Sequence, residues 1–228
     1  VCAEIDVAKE TILPAGDLRG RLRVAAPLSF GPTHFASVFA EMARRHPHLH
    51  IHTCYSDRFV DLIAEGYDCA IRLGHLQDSN LIARRVGPID GKLVASPEYI
   101  KAHGSPETPD ELLTHQALMQ GTETWQFMDG EKIITIRPQG RFKADNGTAL
   151  VAAALAGLGI AYLPEGLIYE HLASGALVPV MTRHPIRPAG VFLVRPPGQH
   201  PARKVRILTE MLIECFEKAP QVVGTAPV

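Results

Sequence analysis

The stretch Gly20–Gly74, GRLRVAAPLSFGPTHFASVFAEMARRHPHLHIHTCYSDRFVDLIAEGYDCAIRLG, decides the fold class. Residues 22–26 (LRVAA) form a short apolar run closed by Pro27 and read as a strand. A helix is predicted from about Pro32 to His46, because Phe35, Val38, Phe39 and Met42 recur at i, i+3, i+4 and i+7. Pro32 suits the first turn, Arg44, Arg45 and His46 complement the dipole at the far end, and Pro47 stops the run. Residues 49–55 (LHIHTCY) alternate as a second strand. Asp57 caps a predicted helix to Glu65, Gly66 closes it, and Tyr67–Leu73 is a third strand. Strand, helix, strand, helix, strand is the βαβ pattern of an open, mostly parallel sheet.

Beyond about Lys92 a second lobe is expected. Its elements are a strand at 93–95, short helices at 97–103 and 109–113, and alternating segments at 125–128 and 132–136. A small-residue helix follows over 147–156, then a strand at 160–163, a helix at 165–173 and a strand at 177–181. Val191–Val194 leads back, and a last amphipathic helix over about 202–218 carries Val205, Leu208, Leu212 and Phe216 on the face that packs on the first lobe. The expected division is a tail at 1–16, lobe I at 17–92 and 195–218, lobe II at 93–194, and a C-terminal tail at 219–228.

With 23 Lys+Arg against 24 Asp+Glu, the net charge of −1 lacks the cationic footprint of a free-standing DNA-binding domain. Cys2, Cys54, Cys69 and Cys215 form no CxxC pair, which fits a reducing, cytoplasmic setting. The most apolar stretch, Ala149–Leu163, falls short of the ~18–20 residues that span a bilayer, and no signal peptide opens the chain. The first residue is Val1 rather than Met, so an N-terminal part is expected to be missing.

Several segments together resemble the effector-binding domain of LysR-type transcription regulators. They are GRLRVAAPLSFG (20–31), FAEMARRHPHLH (39–50), SDRFVDLIAEGYDCAIRLG (56–74), ASPEYI (95–100), NGTALVAAALAGLGIAYLP (146–164) and PARKVR (201–206). They occur in family order and cover about residues 17–218. The resemblance implies a type II periplasmic-binding-protein-like fold: two Rossmann-like α/β lobes joined by two crossing strands, with a small-molecule effector in the cleft. It also implies homodimers or homotetramers, and DNA binding only through an N-terminal winged helix-turn-helix and linker helix that this chain lacks.

The candidate effector contacts follow. Residues 27–32 (PLSFGP) turn from a strand into a helix; Ser29 and Phe30 there either meet the ligand or only stabilise the turn. Ser56 and Asp57 repeat the geometry, with helix capping as the plainer role. Arg72, followed by Gly74 at a strand's end, either clamps a carboxylate or serves a surface ion pair. Asn146, Gly147 and Thr148 open the small-residue helix as ligand contacts or as its cap, and Leu163 and Pro164 resemble the family segment that walls the cleft. The effector is expected to be a small anion.

His46, His48, His50 and His52 fall at every second position, and the last three share one strand face; we expect them to be solvated or at an interface, with no metal. Cys54 and Cys69, on strands taken as neighbours, are expected to be buried, inert thiols. The sequence lacks GxSxG, HExxH, GxxxxGK[ST] and a full GxGxxG, so no catalytic residue, cofactor or enzymatic activity is expected. A solute-binding protein of a transporter, which shares the fold, is the alternative function, with an enzyme on the same scaffold as a third possibility.

Overall fold

The computed structural model describes residues 18–76, 79–120, 124–198 and 200–218. They fall into two compact units: one holds the described residues up to Gly87 and those from Gly190 on, the other holds Pro88–Ala189.

The first unit is built on a five-stranded sheet. Its strands are β1 (Gly20–Ala26), β2 (Leu49–Tyr55), β3 (Cys69–Gly74), β4 (Ile82–Ile89) and β12 (Ala189–Arg195), in the order β2-β1-β3-β12-β4. β1 pairs in parallel with β2 (Ala26 opposite Tyr55) and with β3 (Ala25 opposite Ala70), and β12 runs antiparallel to β3. Alternation places Leu22 and Val24 on one buried face, and α2 (Ala36–Arg45) and α6 (Arg203–Lys218) pack on each other. The buried residues of α6 include Val205, Leu208 and Leu212, the face its periodicity predicts; Phe216 is half-buried.

Three details differ from the sequence reading. The helix expected from Pro32 is two pieces, α1 (Gly31–His34) and α2, broken at Phe35, where ring packing with Phe30 fixes the chain at φ −112°. No helix forms at 57–65. Asp57 is turned away from its own segment, and Asp61 instead accepts from the N–H groups of Ile63 and Ala64 (both 3.0 Å), which shapes a turn over 62–66. Finally, β1 lies between β2 and β3, so Cys54 and Cys69 are not on neighbouring strands; Cys69 is buried, but Cys54 is exposed on the edge strand. Burial raises the Cys69 thiol far above its ordinary pKa and keeps it unreactive.

A buried cation ties the last helix to the first strand. Lys204, 8% exposed, donates to the Arg21 carbonyl (2.5 Å) and pairs with Asp68 (3.0 Å), whose other oxygen accepts from the Arg23 N–H (2.7 Å).

The second unit has β5 (Gly91–Ala95), β6 (Ala117–Met119), β9 (Phe142–Lys143), β10 (Ile160–Pro164) and β11 (Val178–Pro179) in the order β11-β5-β10-β6-β9, with a separate hairpin of β7 (Trp125–Asp129) and β8 (Lys132–Ile136). Helix α3 is Pro97–His103, α4 is Gly147–Leu155 and α5 is Glu165–Ala173. One face of its sheet buries Val94, Leu118, Ala161 and Leu163 with Leu150 and Ala154 of α4, while the other packs on Trp125 and Phe127 of the hairpin.

Candidate functional site

Because β1, β2 and β3 are parallel, the loops after their carboxyl ends emerge on one edge of the first sheet, where open α/β sheets place their ligand-binding residues. Ser29 stands in the loop after β1, Ser56 and Asp57 follow β2, and Arg72 and Gly74 finish β3. Ser56 extends the β1–β2 ladder by donating its N–H to the Ala26 carbonyl (2.9 Å).

The structure brings Ser29 and Asp57 into direct contact. One Asp57 oxygen accepts from the N–H groups of Leu28 (2.7 Å) and Ser29 (3.2 Å), and the other accepts from the Ser29 hydroxyl. The chain's own carboxylate thus answers the polar groups of the turn expected to meet an anion. Phe30 is buried, with its ring stacked on His34 (3.5 Å between centroids) and edge-on to Phe35 (5.6 Å). Burial, partly countered by the bond from its Nδ1 to the Phe30 carbonyl (3.0 Å), lowers the pKa of His34. Gly31 fits against Tyr55 because it has no side chain: a Cβ would sit 2.8 Å from the ring.

Arg72 is different. Its guanidinium is half-buried, which lowers its pKa by desolvation. One nitrogen donates to the Val60 carbonyl (3.1 Å), and the group stacks over the Phe59 ring (4.5 Å to the centroid). Among the described residues no carboxylate pairs with it. Phe59 itself is 81% exposed. The sequence reading missed it: inside an expected helix an aromatic residue reads as core, and only the absence of that helix puts the ring at the surface. Gly74 holds φ +103°, a conformation that favours glycine, where β3 ends opposite Gly190.

In the second unit, Asn146 caps α4, its side-chain oxygen accepting from the Ala149 N–H (3.1 Å). Gly147 is buried and Thr148 exposed. Leu163 is buried in the sheet core against α4, and Pro164 leads straight into α5. Beside them Lys92 pairs with Glu165 (2.8 Å).

Among the described residues no group of three or more His, Cys, Asp or Glu side chains is placed to hold a metal ion, and no helix is long and apolar enough to cross a membrane.

A regulator of the periplasmic-binding-protein-like class and a transporter's solute-binding protein both fit this architecture, and comparison with known proteins separates them. The LysR substrate binding domain model matches residues 15–216. The chain belongs to that family. An uncharacterised HTH-type transcriptional regulator of Haemophilus influenzae is 30% identical over 210 residues, covering 90% of this chain and 73% of its own length. Among solved structures, the full-length Vibrio cholerae virulence activator AphB is 28% identical with a TM-score of 0.70, over 93% of this chain and 74% of that one. The regulatory domain of CrgA from Neisseria meningitidis is 27% identical with a TM-score of 0.68, over 86% and 98%. This LysR-type effector-binding domain therefore has the two-lobed periplasmic-binding-protein-like fold. The relatives support a regulatory rather than an enzymatic role, and the transporter alternative is not favoured.

Proposed function

We propose that this LysR-type domain senses a small anionic molecule and passes its binding to DNA-binding domains outside this chain. Arg72 carries the reading: at the carboxyl end of β3, a half-buried guanidinium over an exposed ring, with no acid partner among the described residues, is poised for an external carboxylate. Ser29, Phe30, Ser56, Asp57 and Gly74 set the loops around it. Asn146, Gly147, Thr148, Leu163 and Pro164 are the proposed effector contacts of the second unit. Sensing requires that the effector favour one of two states of the regulator, since equal affinity for both would shift nothing.

The same reading includes a homodimer or homotetramer. β2 is an edge strand whose His50, His52, Thr53 and Cys54 are exposed, a surface suited to association. The near-zero charge supports assigning operator binding to a DNA-binding domain outside this chain. Sedimentation at high micromolar concentration tests assembly; only monomer there counts against it.

A thermal-shift screen of metabolites tests sensing, because a ligand of the native state raises apparent stability. Arg72→Gln is expected to abolish the response to the best hit, and Ser29→Leu to weaken it in a folded protein. A hit that binds Arg72→Gln as tightly as the wild type would remove Arg72 from the site.

A further inference from the structure

The edge that holds Arg72 carries more information than a positive charge. Beneath the guanidinium lies the Phe59 ring, 81% exposed, and Leu28 is 47% exposed beside Asp57, to which its N–H is bonded. Phe59 is the most exposed large apolar side chain among the described residues, and it adjoins a cation without an acid partner among them. Close by in sequence and in the same loop, Asp57 is fixed by three hydrogen bonds to the turn at Leu28 and Ser29, which holds a negative charge next to that apolar surface. The three features act on a ligand in different ways. Arg72 attracts one acid group, Phe59 and Leu28 reward apolar area, and Asp57 repels any second acid directed at the turn.

We propose, building on the sensing reading above, that this edge takes a monocarboxylate with a ring-sized apolar body, its acid on Arg72 and its body over Phe59 and Leu28. Phe59 is then a ligand-contacting residue. Asp57 is a specificity determinant that disfavours dianions, and the turn it occupies is not where the acid group goes.

Four probes on the intact chain separate these contributions: benzoate, acetate (acid without ring), benzyl alcohol (ring without acid) and phthalate (ring with two acids), titrated against the 15N-labelled protein. Benzoate is expected to bind at least about tenfold more tightly than acetate or benzyl alcohol, the discrimination that a charge-assisted contact or a ring contact supplies. Phthalate is expected to be weaker than benzoate. Phe59→Ala and Arg72→Gln are each expected to raise the benzoate Kd by about tenfold. No saturable benzoate binding, benzoate no tighter than acetate, phthalate tighter than benzoate, or an unchanged Kd in Phe59→Ala would overturn the proposal. Phe59 is so exposed that its variant tests the idea even if Arg72→Gln fails to fold. Succinate separates the two readings. If it binds and loses binding in Arg72→Gln while benzoate is silent, the ring-sized class is wrong and sensing through Arg72 stands. If no anion in the set responds to Arg72, both fall.

Discussion

Two of the sheltered cations of the first unit, Lys204 and Arg72, are opposite in character. Lys204 is 8% exposed, pairs with Asp68 at 3.0 Å and donates to the Arg21 carbonyl. Arg72 is half-buried, donates to the Val60 carbonyl and stacks on Phe59, but has no acid partner among the described residues. Burying a charge is costly, and a protein recovers the cost by pairing it. Lys204 is paired, and its role is to fasten α6 to β1. On the proposed reading, Arg72 is left for the acid group of an effector. The comparison teaches that partners and position must be read together. Among the described residues, Arg23 on β1 also has only carbonyls and a ring for its guanidinium, and it is the place of Arg72 at the carboxyl end of β3, over an exposed ring, that sets it apart.

The two roles can be pulled apart by measurement. The largest stability effect is expected from Asp68→Ala, which strands the Lys204 ammonium and should cost about 3 kcal/mol, the lower end for breaking a buried pair because Asp68 is partly exposed. Urea unfolding checks this, and a loss under about 1 kcal/mol would show that water already reaches Lys204. Asp57→Ala comes next at about 1–2 kcal/mol, since it removes three hydrogen bonds at a partly exposed site. Arg72→Gln should cost about 1 kcal/mol, from the Val60 hydrogen bond and the ring contact, because no ion pair is broken. A large loss would make Arg72 a second Lys204.

Two pH effects are smaller. The His34 pKa is depressed by burial, so the unfolded chain takes up its proton first, and stability is expected to fall as pH drops below 6.5. An imidazole resonance titrating at or above 6.5 would show the ring to be solvated. Glu41 is partly exposed and held at about 2 by hydrogen bonds from Arg44 and then Arg45. Its contribution is present above pH 4.5 and is lost as pH falls toward about 2, so Glu41→Gln should remove part of the acid limb of the Tm profile, least visibly at high salt.

Elements with a clean period were legible in the sequence. LHIHTCY alternates and is β2 at Leu49–Tyr55, and α5 spans Glu165–Ala173 as read. In α6 the apolar spacing of Val205, Leu208 and Leu212 identifies the face that is buried. What escaped lacks such a signal. β4 (Ile82–Ile89, IARRVGPI) has two adjacent arginines and a Gly-Pro pair, so nothing in it alternates, and it is held by pairing within a sheet assembled from distant segments. The helix at 57–65 failed because Asp57 found donors at residues 28 and 29, a tertiary contact that no local pattern encodes. For the candidate site the sequence offered residue types at strand ends. Which of them already had partners, Ser29 with Asp57 but not Arg72 with an acid, is a property of the fold.

One feature of the architecture bears on how the chain is made. The second unit is a continuous stretch, whereas the first takes β12 and α6, which follow that stretch in sequence, to complete its sheet and to pack on α2. On a ribosome, β1 to β3 emerge well before those closing elements; at ~5–20 residues per second the interval is on the order of ten seconds. During that time β3 lacks the neighbour it will have in β12, and α2 lacks the helix that will pack on it. The Lys204–Asp68 pair can therefore close the first unit only after the whole of the second has been synthesised.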